Sequence, residues 1–155
     1  MRNTEAALRF IVTLLRKYTI PFQIGGGFAA RVYGSERELA DIDIAMPEDR
    51  FDELLPEIRE YVVSGPERYL DEQWDVQLLT LNYEGQEIEL VGSMGKKFFN
   101  KQEGKWIDSP SDFSSSYFTT VYGIEVPIMA KDKLIAYKKM LGRDVDVADV
   151  KAIDL

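Results

Sequence analysis

Apolar residues recur at helical spacing near the start of the chain and again near its end. Between residues 4 and 17 they fall three and four positions apart, with basic residues on the other side. This pattern predicts an amphipathic helix. The same spacing predicts further helices over 28–33, 47–58, 131–141 and 145–155. Pro56 is expected to split or kink the third of these five helices.

Short runs of apolar or alternating residues predict strands between the helices. These runs cover 20–24, 40–46, 76–83, 86–91, 118–122 and 124–129. Glu84-Gly85 predicts a hairpin turn, Gly123 predicts a weaker one, and Gly65-Pro66 is interpreted as a turn. Residues 92–116 are interpreted as an ordered excursion. The element order predicts one α+β domain over 1–155, with a small mixed β-sheet flanked by helices and helices at the C-terminus.

Composition narrows the available chemistry. The 155 residues include no cysteine and no histidine, which excludes disulfides, zinc–thiolate sites and histidine-dependent catalysis. A bound divalent cation must therefore have oxygen ligands, which favours magnesium or manganese. The net charge of -8 disfavours an extended nucleic-acid surface. Because no apolar run reaches the length of a membrane span, we expect no membrane association and a cytoplasmic protein.

Two aspartates stand one residue apart in the second predicted strand. Because side chains alternate in a strand, Asp41 and Asp43 share one face while Ile42 and Ile44 enter the core. Two adjacent carboxylates repel each other. They mark either a solvated strand face or ligands that share a divalent cation.

Three glycines precede this strand. Gly25 to Gly27 separate a predicted strand from a predicted helix, an arrangement that suits phosphate binding but that tight turns also require for steric reasons. Ser35 could add a hydroxyl group or serve as a simple loop residue. The combination of a phosphate cradle with a pair of metal ligands favours a functional interpretation.

These residues resemble a known superfamily. Gly26-Gly27 followed by Asp41-Ile42-Asp43-Ile44 looks like the motif of the DNA-polymerase-beta-like nucleotidyltransferases. The likeness is greatest to the head domain of CCA-adding enzymes and to small stand-alone bacterial members. The resemblance implies a nucleotidyltransferase-like fold and transfer of a nucleoside monophosphate from an NTP to a hydroxyl group.

The resemblance also implies a third carboxylate on a neighbouring strand. Glu89 matches best, Glu87 shares its face and could substitute, and Asp75 is a poorer candidate. The implied catalytic and metal-binding set is therefore Asp41, Asp43 and Glu89, with Mg²⁺ or Mn²⁺ as cofactor. The residues implied to bind the nucleotide are Gly26, Gly27, Ser35 and Arg37.

Other charged and aromatic residues have a functional and a structural interpretation. Lys96, Lys97, Lys133, Lys138 and Arg143 could supply positive charge near the phosphates, but the favoured interpretation is a solvated charge. Phe98, Phe99 and Trp106 could stack on a base, but packing of the excursion against the core is favoured.

Several functions remain open at this stage. The acceptor of an active transferase could be a small molecule, a protein or an RNA end. The alternatives are a catalytically silent nucleotide- or protein-binding domain of the same fold, a toxin–antitoxin component, and an α+β interaction domain in which the aspartate pair arises by chance. That last alternative predicts that Glu89 lies far from Asp41.

Overall fold

The computed structural model describes residues 2–154 and contains five α-helices packed against one open sheet of nine strands. The helices are α1 (Thr4–Lys17), α2 (Gly26–Val32), α3 (Phe51–Ile58), α4 (Lys131–Leu141) and α5 (Asp144–Ile153). The strands are β1 (Gln23–Gly25), β2 (Asp41–Met46), β3 (Val62–Leu70), β4 (Trp74–Tyr83), β5 (Gln86–Gly92), β6 (Lys97–Asn100), β7 (Lys105–Asp108), β8 (Tyr117–Val121) and β9 (Ile124–Ile128). The predicted α+β fold is confirmed.

The sheet is mixed, as predicted. Its strand order is β7-β6-β4-β5-β2-β1-β9-β8, and β3 pairs with β4 beside this path. The pairs β2–β5 and β1–β9 are parallel, while the others are antiparallel. With nine strands, the sheet is larger than the small sheet that the sequence predicts.

The first helix has the bounds that its periodicity predicts. The Asn3 side chain accepts a hydrogen bond from the Ala6 backbone N–H and caps the helix start. Leu8, Ile11 and Leu15 are fully buried against the core, while the basic residues lie on the solvent side. Burial of this apolar face is what holds α1 on the sheet.

The central strands β2 and β5 fix the position of the acidic residues. Ile42, Ile44, Ile88 and Leu90 are fully buried and form the middle of the core. The strands run parallel, and residues 41 to 46 pair with residues 87 to 92 in unbroken register. Because side chains alternate, the acidic residues of both strands lie together on the opposite face of the sheet.

Two regions differ from the sequence prediction. Gly65-Pro66 is part of β3 rather than a turn, at an irregular register between Ser64 and Glu67. Proline is tolerated there because β3 pairs with a single strand among the described residues and so lies at an edge. The excursion over 92–116 contains the β6–β7 hairpin, which extends the sheet.

Several element bounds also differ. The first strand is shorter than predicted, and Gly26 and Gly27 are the first residues of α2 instead of a break before it. Pro56 lies within α3, which gives way to a 3-10 turn at Arg59. Helix α5 ends at Ile153, and Leu155, which was predicted to be helical, lies outside the described residues. Across residues 2–154, no helix is both long and apolar enough to cross a membrane.

Candidate active site

Three carboxylates approach one another where β2 and β5 lie side by side. Asp41 is paired in register with Glu87, and Asp43 with Glu89. One carboxylate oxygen from each of Asp41, Glu87 and Glu89 lies within 4.8 Å of the others. Glu89 is therefore near Asp41, contrary to what the chance-motif alternative predicts.

A cavity of about 470 Å³ opens above this face of the sheet. Six of the seven predicted site residues line it: Gly26, Gly27, Arg37, Asp41, Asp43 and Glu89. They come from β2, β5, the start of α2 and the loop before β2. The structure thus brings together residues that are up to 63 positions apart in the sequence (89 minus 26).

The glycine at the start of α2 allows a close approach to Asp43. Gly26 has a φ of +57°, and a Cβ atom placed on it would lie 3.0 Å from both Cβ and Oδ2 of Asp43. A side chain at this position would be strained and would also displace the carboxylate. Glycine is therefore required here by backbone conformation and by space.

Burial and the neighbouring negative charges raise the pKa values of the carboxylates in the cavity. The pKa of Asp41 is raised to about 6. Burial is the main cause, and the charges of Asp43 and Glu87 contribute in that order. The pKa of Glu89 is raised to about 8. Burial is the main cause, and the charges of Asp41, Asp43 and Glu87 contribute in that order. Burial also raises the pKa of Asp43. Buried carboxylates with raised pKa values in a cavity are typical of functional sites.

The seventh predicted residue, Ser35, lies behind the cavity wall. Its hydroxyl donates a hydrogen bond of 2.9 Å to Asp149 Oδ1 and accepts one from the Arg37 backbone N–H. Asp149 also binds the Arg37 guanidinium through two hydrogen bonds, of 3.1 and 2.8 Å. Ser35 therefore contacts the residues that hold Arg37 in the wall and does not face the cavity itself.

The two alternatives for the third carboxylate occupy different environments. Glu87 is exposed and does not line the cavity, although it lies within the acidic cluster. Asp75 accepts two hydrogen bonds of 2.8 Å from Arg68 on β3, and this pairing lowers its pKa. Asp75 is thus already paired outside the cavity.

A family comparison agrees with this architecture. The model of the aminoglycoside-2''-adenylyltransferase family matches residues 7–153, nearly the whole chain. The chain belongs to this family. The resemblance to the nucleotidyltransferase superfamily is thereby confirmed. No curated protein sequence matches the chain.

Solved structures share the fold of this aminoglycoside-2''-adenylyltransferase family member. A candidate nucleotidyltransferase from Thermotoga maritima aligns with a TM-score of 0.74 and 21% identity, over 97% of this chain and 93% of the other. The lincomycin-bound lincosamide adenylyltransferase LnuA aligns with a TM-score of 0.61 and 14% identity, over 97% of this chain and 96% of its own. ANT(2'')-Ia in complex with adenylyl-2''-tobramycin aligns with a TM-score of 0.60 and 14% identity, over 97% of this chain and 88% of its own.

The cationic side of the cavity in this family member consists of residues for which the sequence favours a surface position. Lys96, Lys138 and Arg143 line the cavity, so the solvated charge that the sequence favours is the wrong interpretation for all three. Lys133 is exposed and pairs with Asp112 on the surface. No local signal distinguishes these lysines, because their burial depends on how the β6–β7 region and the C-terminal helices pack.

The aromatic residues of the cavity also differ from those singled out in the sequence. Phe98 is buried against Tyr137, and Trp106 packs on Phe99 at the surface. The cavity is instead lined by Tyr69, Trp74 and Tyr137. The Arg143 guanidinium lies 4.6 Å from the centre of the Trp74 ring, a cation–π arrangement.

We expect Gly26→Ala to impair nucleotide binding through Asp43. The positive φ costs about 1–2 kcal/mol of stability, and displacement of the Asp43 carboxylate should weaken Mg²⁺-dependent ATP binding by about 10-fold or more. Calorimetric titration would measure this loss. Gly104→Ala is the matched control, because Gly104 has a similar φ of +68° but a Cβ there would meet nothing within 4 Å. Equal ATP affinity in the two variants would contradict the role given to Gly26.

Proposed function

We propose that the protein transfers an adenylyl group from ATP to a hydroxyl group of a small molecule, in a reaction that depends on a divalent cation. Membership of the aminoglycoside-2''-adenylyltransferase family supports the reaction class. The observation that carries the proposal is the parallel pairing of β2 with β5, which puts Asp41, Asp43 and Glu89 on the wall of one cavity.

The carboxylates suit a hard divalent cation. Asp41, Glu87 and Glu89 each place one carboxylate oxygen within 4.8 Å of the others, and Asp43, which is not one of these three, lines the same cavity beside Asp41 and Glu89. Carboxylate oxygens are the ligands that Mg²⁺ and Mn²⁺ prefer. We propose Asp41, Asp43 and Glu89 as the ligands. When bound, such a cation would polarise the transferred phosphoryl group and lower the pKa of the acceptor hydroxyl.

The side chains of the cavity have separate proposed roles. The acceptor oxygen forms a bond to the α-phosphorus of ATP, the bond from that phosphorus to the bridging oxygen breaks, and pyrophosphate leaves. Glu89 takes the hydroxyl proton, because its carboxylate lines the cavity beside Asp41 and Asp43, where the acceptor hydroxyl would lie. Gly26 and Gly27 leave room for the phosphates, and Arg37 supplies positive charge beside them.

We prefer Glu89 to Glu87 as the third functional carboxylate. Glu89 is half-buried and lines the cavity, whereas Glu87 is exposed at the edge of the acidic cluster. A half-buried carboxylate on the cavity wall can reach a substrate bound in the cavity, whereas an exposed one outside the wall cannot. Glu87 then acts through its charge, which contributes to the raised pKa of Glu89.

A small-molecule acceptor is favoured over a macromolecule. The family name and two structural neighbours, one bound to lincomycin and one to adenylyl-2''-tobramycin, concern antibiotics of low molecular mass. The size of the cavity falls within the range typical of small-ligand sites. The net charge of -8 argues further against a long RNA acceptor.

The test is calorimetric titration of ATP, CTP, GTP and UTP with Mg²⁺ into the wild type and into Asp41→Asn/Asp43→Asn. We expect Mg²⁺-dependent binding of ATP, lost in the double variant because the cation ligands are removed. Asp49→Asn/Asp52→Asn is the matched control, since it makes the same change at two exposed aspartates. Binding of no nucleotide by the wild type would overturn the transferase proposal. Binding that persists without Mg²⁺ would favour a silent nucleotide-binding domain.

A further inference from the structure

Lys96 is a buried lysine on the cavity wall whose ammonium group lies 5.8 Å from the centre of the Tyr137 ring and has no ion-pair partner among residues 2–154. It is 8% exposed, and its ammonium group donates a hydrogen bond of 3.3 Å to the Ser111 hydroxyl. No carboxylate oxygen of residues 2–154 lies within the 4.0 Å ion-pair distance of it. An ammonium group that is removed from water and lacks a paired anion is costly.

The other cations of the cavity are already paired. Arg37 binds Asp149 at 2.8 Å, and Arg143 binds Asp146 at 2.7 Å. Lys138 lies 2.9 Å from Asp149 and 3.3 Å from Asp146. Lys96 differs from all three, and it would therefore gain the most from an anion that enters the cavity.

The backbone around Lys96 is held in place from two directions. The Glu48 carboxylate accepts hydrogen bonds from the Met94 and Gly95 backbone N–H groups, at 2.8 and 2.9 Å. The Lys96 carbonyl accepts a bond of 2.8 Å from the Ser109 N–H. The lysine is thus preorganised at the cavity wall, which reduces the entropy lost when it binds a ligand.

Nearby acidic groups act on Lys96 without pairing with it. Burial lowers the pKa of Lys96, and the charges of Asp43 and Glu48 oppose this shift. Glu48 is occupied by two backbone N–H groups, and Asp43 belongs to the proposed cation site. Neither carboxylate is therefore free to pair with the ammonium group during the reaction.

We infer that Lys96, supported by Ser111, binds the terminal phosphates of the nucleotide and the pyrophosphate that leaves. This inference rests on the proposed function and extends it to a residue outside the Gly-Gly and Asp-Ile-Asp motifs. The terminal phosphates carry the highest charge density of the substrate. They are the groups for which an unpaired buried cation has the greatest affinity.

The experiment compares three ligands by calorimetric titration with Mg²⁺: ATP, pyrophosphate and AMP, which lacks the terminal phosphates. We expect Lys96→Met to weaken binding of ATP and pyrophosphate by about 10- to 100-fold and to leave AMP binding unchanged. Lys97→Met is the matched control, because Lys97 is the next residue, is exposed and lies 3.9 Å from Asp108. Lys96→Gln is a second variant, used if Lys96→Met does not fold by thermal melting.

The outcomes separate this inference from the proposed function. Selective loss of ATP and pyrophosphate binding supports Lys96 as the residue that contacts the terminal phosphates. Equal losses of affinity for ATP and AMP would overturn the inference in favour of a structural role for Lys96. Unchanged ATP affinity would also overturn it, because Lys96 would then not contact the phosphates. If the wild type binds neither ATP nor pyrophosphate, the proposed function is overturned together with the inference.

Discussion

Replacing Glu89 with Gln is expected to lower the turnover number for adenylyl transfer by about 10²–10⁴-fold, because the proposed general base is lost. ATP affinity should change far less than turnover, since Asp41 and Asp43 remain. Pyrophosphate release at saturating ATP and acceptor measures the first quantity, and calorimetric titration measures the second. Glu87→Gln is the matched variant, two residues away on the same face of β5. A larger loss in Glu87→Gln than in Glu89→Gln would reverse the assignment of the third carboxylate.

The same variant is expected to stabilise the metal-free protein. A carboxyl group whose pKa rises from 4.5 to about 8 on folding favours the folded state while it is protonated. The wild type therefore loses stability as the pH rises from about 4.5 towards 8, and Glu89→Gln should remove this loss. Because Glu89 is only half-buried, solvent screening reduces the effect of this shift, and we expect a gain on the order of 1 kcal/mol at pH 8, or about 2–4 °C in Tm. A Tm below that of the wild type would show that Glu89 stabilises the fold instead.

The position of the acidic residues at the centre of the candidate site could be predicted from the sequence because it depends on local patterns. The alternation in β2 and β5 indicates that Asp41, Asp43 and Glu89 each point away from the core. The β4–β5 hairpin is encoded by Glu84-Gly85, and both residues adopt the positive φ that this turn needs. The parallel pairing of β2 with β5 has no such local signal, and here the resemblance to a superfamily supplied the expectation.

The remainder of the site depends on contacts between distant segments. Lys96 looks like any surface lysine until Glu48 and Ser109 fix the loop that carries it. Asp146 and Asp149 look like the polar side of an ordinary helix, yet they are fully buried against Lys138. Burial of a charged residue is a property of the tertiary structure. A single sequence read through periodicity therefore places such residues on the surface.

This buried charge network is expected to be the largest source of polar stability in the fold. Asp149 on α5 binds Lys138 on α4, and it also binds Arg37 and Ser35 in the segment between α2 and β2. Asp149→Ala would leave Lys138, which is 3% exposed, with Asp146 as its remaining carboxylate partner. Breaking a buried ion pair in this way costs about 3–5 kcal/mol, and urea unfolding at pH 7 would measure the loss.

The matched control for Asp149→Ala lies on the same stretch of chain. Asp154→Ala removes an ion pair of 3.8 Å with Lys139 in which both side chains are about half exposed, and it should cost less than about 1 kcal/mol. Similar losses of stability in the two variants would contradict the network's role.

The stability that Asp149 provides also depends on pH, because the pKa of Asp149 is lowered to about 2 on folding. The stability that Asp149 provides is present above about pH 4 and is lost as the pH falls towards 2. The difference in the free energy of unfolding between Asp149→Ala and the wild type should therefore shrink as the pH falls from about 4 towards 2. A constant difference would mean that Asp149 acts through packing rather than through its charge.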